Sequence, residues 1–390
     1  MNQTAASPRA LATCGSCGNS VPEGEFCGAC GTVLGGTGSA PATRGDHFAA
    51  NPAESVLHLS VISTLLPHLP HHRTGAYRVG LLLLAAGFVV LGALRLTGPG
   101  IAFAAAAVPA LYLLYLYEAE VYEDQPGPVI GATVALGLLL GIPWAIVVAP
   151  VVTQAQVFGT GQPLGAGQVV LVGVLIPLAA QALMLAGAMV LYVTHRFLNE
   201  SLDGFTFGAA AALGFTLSTT VVELLPQLQQ GLVSSVALDT SLVQELVRGL
   251  ALPLLNASTT GLVAGALWLA RRPQRGESVR SWATSPVSAL LVAALAQVGL
   301  GLANLLIRDP IVVGLLYVAV VVVLLVWVRV AIHHMLLAEA VDVVVGPDLV
   351  CSHCHREVPR MAFCPHCGVA SMSTPKHGAG RGRRDEAMAT

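Results

Sequence analysis

From Pro126 to Thr194 the chain carries no Asp, Glu, Lys or Arg. A soluble fold could not solvate such a run, since soluble domains are roughly 25% charged. Here only 10% of the 390 residues are charged and 55% are hydrophobic, with a mean hydropathy of +0.73. One helical crossing of a bilayer needs about 20 apolar residues, and several fit within that single run. Helices satisfy their own backbone hydrogen bonds in lipid. The pattern therefore predicts an all-α polytopic membrane protein. About eight spans are expected, over residues 77–96, 99–117, 128–150, 168–193, 204–225, 251–270, 285–307 and 311–335. No short apolar leader with a cleavage site precedes the first span, so no signal peptide is expected.

Arginine placement sets the expected orientation. The short loop from Arg271 to Arg280 also holds Arg272 and Arg275, which places it in the cytoplasm by the positive-inside rule. Eight spans then put both termini there. Arg73, Arg78, Arg196 and Arg329 fall on the same side, and Arg95, Arg248 and Arg308 on the other. The expected location is the plasma membrane of a prokaryote. The net charge of -2 says little, because the charges sit in loops and tails.

The eight cysteines avoid the apolar region. Cys14, Cys17, Cys27 and Cys30 form one CxxC-x9-CxxC cluster, and Cys351, Cys354, Cys364 and Cys367 form another. Two such knuckles close a tetrahedral four-thiolate site for zinc. Disulfides are the competing reading, and a reducing cytoplasm disfavours them. The expectation is two structural Zn2+ ions. No coordination position is left open for catalysis. Gly18, Gly31 and Gly368 follow the second Cys of a knuckle, where a positive φ suits the turn. His353, His355 and His366 are read as surface residues, since four thiolates already satisfy an ion. Phe26 and Phe363 precede the second knuckles.

The expected domains are a zinc ribbon over 1–34, a linker and interfacial helix over 35–76, and the helical membrane domain over 77–336. A second ribbon over 337–370 and a basic tail over 371–390 complete the chain. The interfacial helix is placed near 51–66, and a second short one at Asp239–Gly249. The partners implied are the lipid bilayer and a protein bound through the ribbons. The first cluster has no basic residue between Cys14 and Cys30, so no specific nucleic acid is expected.

The helix over 202–225 is expected at the centre. Gly204, Gly208 and Ala212 recur at a spacing of four, which lines one helical face with small residues and admits a neighbour closely. Polar groups inside the membrane are functional candidates. They include Gln181, Ser218, Thr219, Thr220, Glu223, Asn256, Gln297 and Asn304. For each amide or hydroxyl the plainer reading is a bond to a neighbouring helix.

The run NESLDGFTFGAAAALGF (199–215), with Asp203, Gly204, Gly208, Gly214 and Phe215, resembles the PrsW family of intramembrane proteases. The acidic loop and span beginning YEAEVYEDQP and the helix PLLNASTTGLVAGALWLARR (253–272) also resemble that family. The family's expected active groups are a Glu-Glu-x-x-Lys motif, a Glu four residues after the Phe, and a His heading the later helix. Here those positions fall at Gln181, Thr219 and Asn256. Hydrolysis of a peptide needs a base or a metal ligand beside the scissile carbonyl, and these side chains supply neither. The resemblance thus implies a protease-like core with a degenerate pocket of Gln181, Thr219, Asn256 and Asp203. The expected function is a membrane scaffold or regulator that has lost catalysis. The competing expectations are a peptidase that uses Glu223, one turn beyond Thr219, and a transporter or channel.

Overall fold

The structure is a computed structural model that describes residues 10–34, 75–118, 127–158, 165–194, 200–230, 238–271, 282–340, 346–351 and 353–371. The interfacial helix expected near 51–66 and the basic tail fall outside the described residues. Among the described residues, eight helices are long and apolar enough to cross a membrane. They are α1 (Gly75–Ala93), α2 (Thr97–Glu118), α3 (Gly127–Phe158), α4 (Ala166–Thr194), α5 (Ser201–Gln230), α6 (238–271), α7 (Pro286–Leu306) and α8 (Pro310–Ala340). Outward-facing residues such as Leu82, Val147, Leu295 and Val323 are apolar and exposed, as contact with lipid requires.

Glycine decides which helix is central. A Cβ at Gly208 of α5 would lie 2.7 Å from the Thr260 carbonyl oxygen of α6, and one at Gly204 would lie 2.8 Å from that of Ala264. On the opposite side, a Cβ at Gly214 would overlap the Val134 carbonyl of α3, and one at Gly137 of α3 would overlap the Ala211 carbonyl. Backbones this close are the mark of small-residue packing in membranes. The apolar windows of α5 and α6 are 72% buried, against 17% for α1.

The region expected to form a separate interfacial helix behaves differently. Leu238–Glu245 continues through a π turn at Leu246–Ala251 into Leu252–Arg271, and the whole is one long helix, α6. Sequence period alone shows Leu242, Leu246 and Leu250 with polar neighbours. Packing against α1 and α2 buries Ser241 and Glu245, the latter 0% exposed, while Gln244 stays exposed. A second π turn, Leu171–Leu175, lies in α4, where Gly173 meets Leu302 of α7.

Each ribbon is a small hairpin with two knuckles. β1 (Leu11–Thr13) pairs antiparallel with β2 (Ser20–Pro22), and β3 (Gly346–Val350) with β4 (Glu357–Arg360). The second knuckles are closed by the bridges Phe26–Val33 and Phe363–Ala370, and both phenylalanines are buried. The two ribbons pack on each other. Phe26 N–H donates to the Pro365 carbonyl at 2.9 Å, and Phe363 N–H donates to the Gly28 carbonyl at 2.9 Å. Met361 of the C-terminal ribbon enters the core formed by Cys14, Val21 and Cys27. Ala362, Phe363 and Ala370 pack against Leu337, near the end of α8.

Candidate functional site

Four helices bring amides and hydroxyls together inside the bundle. Asn256, Thr259 and Thr260 lie on one face of α6, because spacings of three and four stack on a helix. Gln181 of α4 bridges them: its Nε2 donates to Thr260 Oγ1 at 3.0 Å, and its Oε1 accepts from Thr259 Oγ1 at 3.0 Å. Gln297 of α7 donates to both Gln181 Oε1 at 3.1 Å and Asn256 Oδ1 at 2.8 Å. Asn256 Nδ2 donates to Thr216 Oγ1 of α5 at 2.8 Å, and Thr216 Oγ1 donates to the Ala212 carbonyl at 2.8 Å. Gln181, Thr216, Asn256, Thr259, Thr260 and Gln297 are all buried. Every amide here finds its partners among the others.

Of the residues singled out from sequence, Gln181 and Asn256 thus share one partner, Gln297. Thr219 stands one turn beyond Thr216 on α5 and is half-buried, and its Oγ1 donates to the Thr216 carbonyl at 3.0 Å. Asp203 does not join them. It lies at the opposite end of α5, about 20 Å along the axis from Thr216 at 1.5 Å per residue, and its Oδ2 accepts from Glu200 N–H at 3.2 Å. Glu223 is an exposed position on α5. Thr216, Thr259, Thr260 and Gln297 were not assigned to the pocket from sequence. The i, i+3, i+4 spacing from Asn256 was the available signal for the two threonines. Gln297 was visible only as a mid-span amide.

Glu245, inside the apolar span of α6, is a buried carboxylate. Both oxygens of Glu245 lie buried with no hydrogen-bond partner among the described residues, as does Thr97 Oγ1. The carboxylate fits between Gly92 and Gly100, and a Cβ at Gly100 would overlap its Oε1.

The two Cys clusters are built alike. In each, the four sulfurs lie within 4.8 Å of one another. Cys14–Cys30 and Cys17–Cys27 are separated by 3.6 and 3.8 Å, and Cys351–Cys367 and Cys354–Cys364 by 3.9 and 3.8 Å. A disulfide would bring two sulfurs to about 2.05 Å, and all eight cysteines are free. The edges of a tetrahedron with metal–sulfur bonds near 2.3 Å measure roughly 3.8 Å, so the spacing fits a thiolate-bound ion. Left-handed residues turn each knuckle back on itself: Gly18, Gly31, His355 and Gly368 have φ of 72, 74, 56 and 70°. Each donates its N–H to the first Cys carbonyl of its knuckle, at 2.8 to 2.9 Å. Burial pushes the Cys27 thiol up to about 12. The hydrogen bond to Cys351 pushes Cys364 up to about 12, and the bonds from Cys364 and Cys367 hold Cys351 well below the ordinary thiol range. His366, expected as a plain surface residue, sits between the ribbons, 3.7 Å from Glu25 Oε1 and 3.4 Å from Arg356.

A family model described as PrsW family intramembrane metalloprotease matches residues 125–328. No curated protein and no solved structure matches the chain. The family's description implies a catalytic metal, and the amide cluster does not fit one. It offers only amides and hydroxyls, already engaged with each other, where a protein-bound catalytic ion takes imidazole, thiolate or carboxylate. Among the described residues, the groups of His, Cys, Asp or Glu close enough to hold an ion are the two Cys clusters, at the chain's ends. The matched region spans α3 to α8 and just over half of the 390 residues, and on that extent the chain belongs to the PrsW family of intramembrane metalloproteases.

Proposed function

We propose that this PrsW-family chain no longer hydrolyses peptide bonds and serves as a membrane scaffold or regulator, with structural zinc in its two ribbons. The observation that carries this reading is the closed network of Gln181, Asn256 and Gln297. These amides occupy the region where the family resemblance calls for acid–base groups, and they spend their hydrogen bonds on one another. No carboxylate or imidazole joins them among the described residues. Glu223, the candidate replacement, is exposed on α5 and shares no hydrogen bond with the network.

The test is cleavage of a fluorogenic transmembrane peptide by the purified full chain in proteoliposomes, read by mass spectrometry. No product is expected. Product that disappears on Glu223→Gln would overturn the reading and establish Glu223 as a catalytic residue. The metal is tested by elemental analysis of chain purified without added metal. Two zinc ions per chain are expected, and loss of one with Cys14→Ser. A different resident metal, or none, would overturn the zinc assignment.

The spacing of the sulfurs supports zinc, and the arginine distribution supports a cytoplasmic position for both ribbons. The ribbons are the surfaces we assign to a protein partner. Accessibility labelling of a single added cysteine cannot be read beside eight native thiols, so orientation is tested with a fused reporter. A C-terminal fluorescent protein that folds only in the cytoplasm should fluoresce, and a dark fusion would reverse the topology.

A further inference from the structure

We infer that the first partner of each ribbon is the other ribbon of the same chain, and that the two metal sites therefore load cooperatively. The contact has two-fold character. The residue before each second knuckle donates its N–H, and the residue after that knuckle's first Cys accepts. Phe26 donates to Pro365, and Phe363 donates to Gly28, both at 2.9 Å. All four backbone groups belong to knuckles whose turns are shaped around the sulfurs. Ordering a knuckle by metal therefore orders the edge that the other ribbon pairs with.

Side chains bind the halves further. Met361 is 4% exposed and lies in a cluster with Cys14, Val21 and Cys27, so the C-terminal ribbon completes the N-terminal ribbon's core. The approach leaves no room for side chains on the facing backbone. A Cβ at Gly28 would overlap the Met361 sulfur, and one at Gly24 would lie 2.5 Å from the Pro365 carbonyl oxygen and 2.9 Å from its Cβ. His366 beside Glu25, at 3.7 Å, adds a polar contact at the edge. Ribbons of this size build too little core to fold alone and depend on their ion. A ribbon that loses its ion thus takes away a wall of its neighbour's core, and the neighbour holds its own ion less tightly. Through Leu337 the paired head also rests on α8.

This coupling rests on reading the Cys clusters as metal sites, and the experiment separates the two. The full chain in detergent is loaded with zinc and challenged with a chelator series, and the zinc retained is measured. Cys17→Ser with Cys30→Ser empties the N-terminal site. The C-terminal site should then release its ion at about tenfold lower chelator concentration than in the parent chain. Release at an unchanged concentration would overturn the coupling. Gly28→Ile keeps all eight thiols and wedges the ribbons apart. It should bind two ions per chain that leave independently, and two ions that still leave together would also overturn the coupling. A parent chain that binds no zinc would overturn the metal-site reading instead. Mass measurement of the same samples distinguishes pairing within a chain from pairing between copies. A dimer that Gly28→Ile converts to monomer would overturn the assignment in cis.

Discussion

His355 occupies the left-handed turn position that glycine fills in the other three knuckles, with φ 56°. A side chain there costs about 1 kcal/mol or more, so His355→Gly should stabilise the C-terminal ribbon by about that amount. Its checking measurement is the chelator midpoint of the full chain, which should rise. The thiols add a pH dependence. Cys27 and Cys364, each pushed up to about 12, carry protons at neutral pH without an ion. Binding an ion displaces those protons, so affinity must fall as pH falls, by roughly tenfold per pH unit for each proton displaced. Zinc retention measured between neutral and acid pH should show that direction. Within the membrane, Gln297→Leu leaves Asn256 Oδ1 without the donor at 2.8 Å. The expected cost is about 1–3 kcal/mol, read from unfolding in mixed micelles. Replacing Gln181, Asn256, Gln297 and Thr260 together by apolar residues of similar size should cost less than that single change plus its like, because the remaining hydroxyls of Thr216 and Thr259 still donate to the Ala212 and Leu255 carbonyls and none is orphaned. The identities of these amides were plain in the sequence. Their mutual bonding was not, because Gln181 and Gln297 are 116 residues apart.

Helices were legible as elements because hydropathy is a local property, summed over one turn after another. Their ranking from centre to rim was partly legible. The stripe of Gly204 and Gly208 marked one close face of α5, and α6 does pack there. The second close face, through Gly214 against Val134 of α3, followed no separate pattern, since Gly214 was noted only as part of a family resemblance. The two kinds of glycine predict opposite outcomes. Gly214→Val should drive α3 and α5 apart and lower the yield of folded, monodisperse protein. Gly131→Ala in α3, where an added Cβ meets nothing within 4 Å, should stabilise by roughly 0.5–1 kcal/mol through helix propensity. Thermal unfolding of both variants checks the pair. The π turn at Leu246–Ala251 explains why Asp239–Gly249 reads as a separate short helix. The hydrophobic period slips there, although the backbone runs on without a break.

At the scale of the whole molecule, a membrane bundle carries a paired ribbon head on α8. Chelation should therefore unfold the head and leave the bundle. Far-UV helicity is expected to persist after metal removal, while limited proteolysis begins to cut around the Cys clusters. Loss of most helicity on chelation would show instead that the bundle depends on the ions. The span count, the two four-thiolate clusters and the family likeness all came from short stretches whose chemistry is complete by itself: about 20 apolar residues cross a bilayer, and two CxxC turns gather four sulfurs. Only the tertiary structure decided that Gln181, Asn256 and Gln297 satisfy one another, that Glu245 is buried between Gly92 and Gly100, that Asp203 lies far from the pocket, and that the ribbons at opposite ends of the chain share one core. Those relations join residues far apart in sequence, and their energies depend on which backbones can approach closely, which no local pattern of residues encodes.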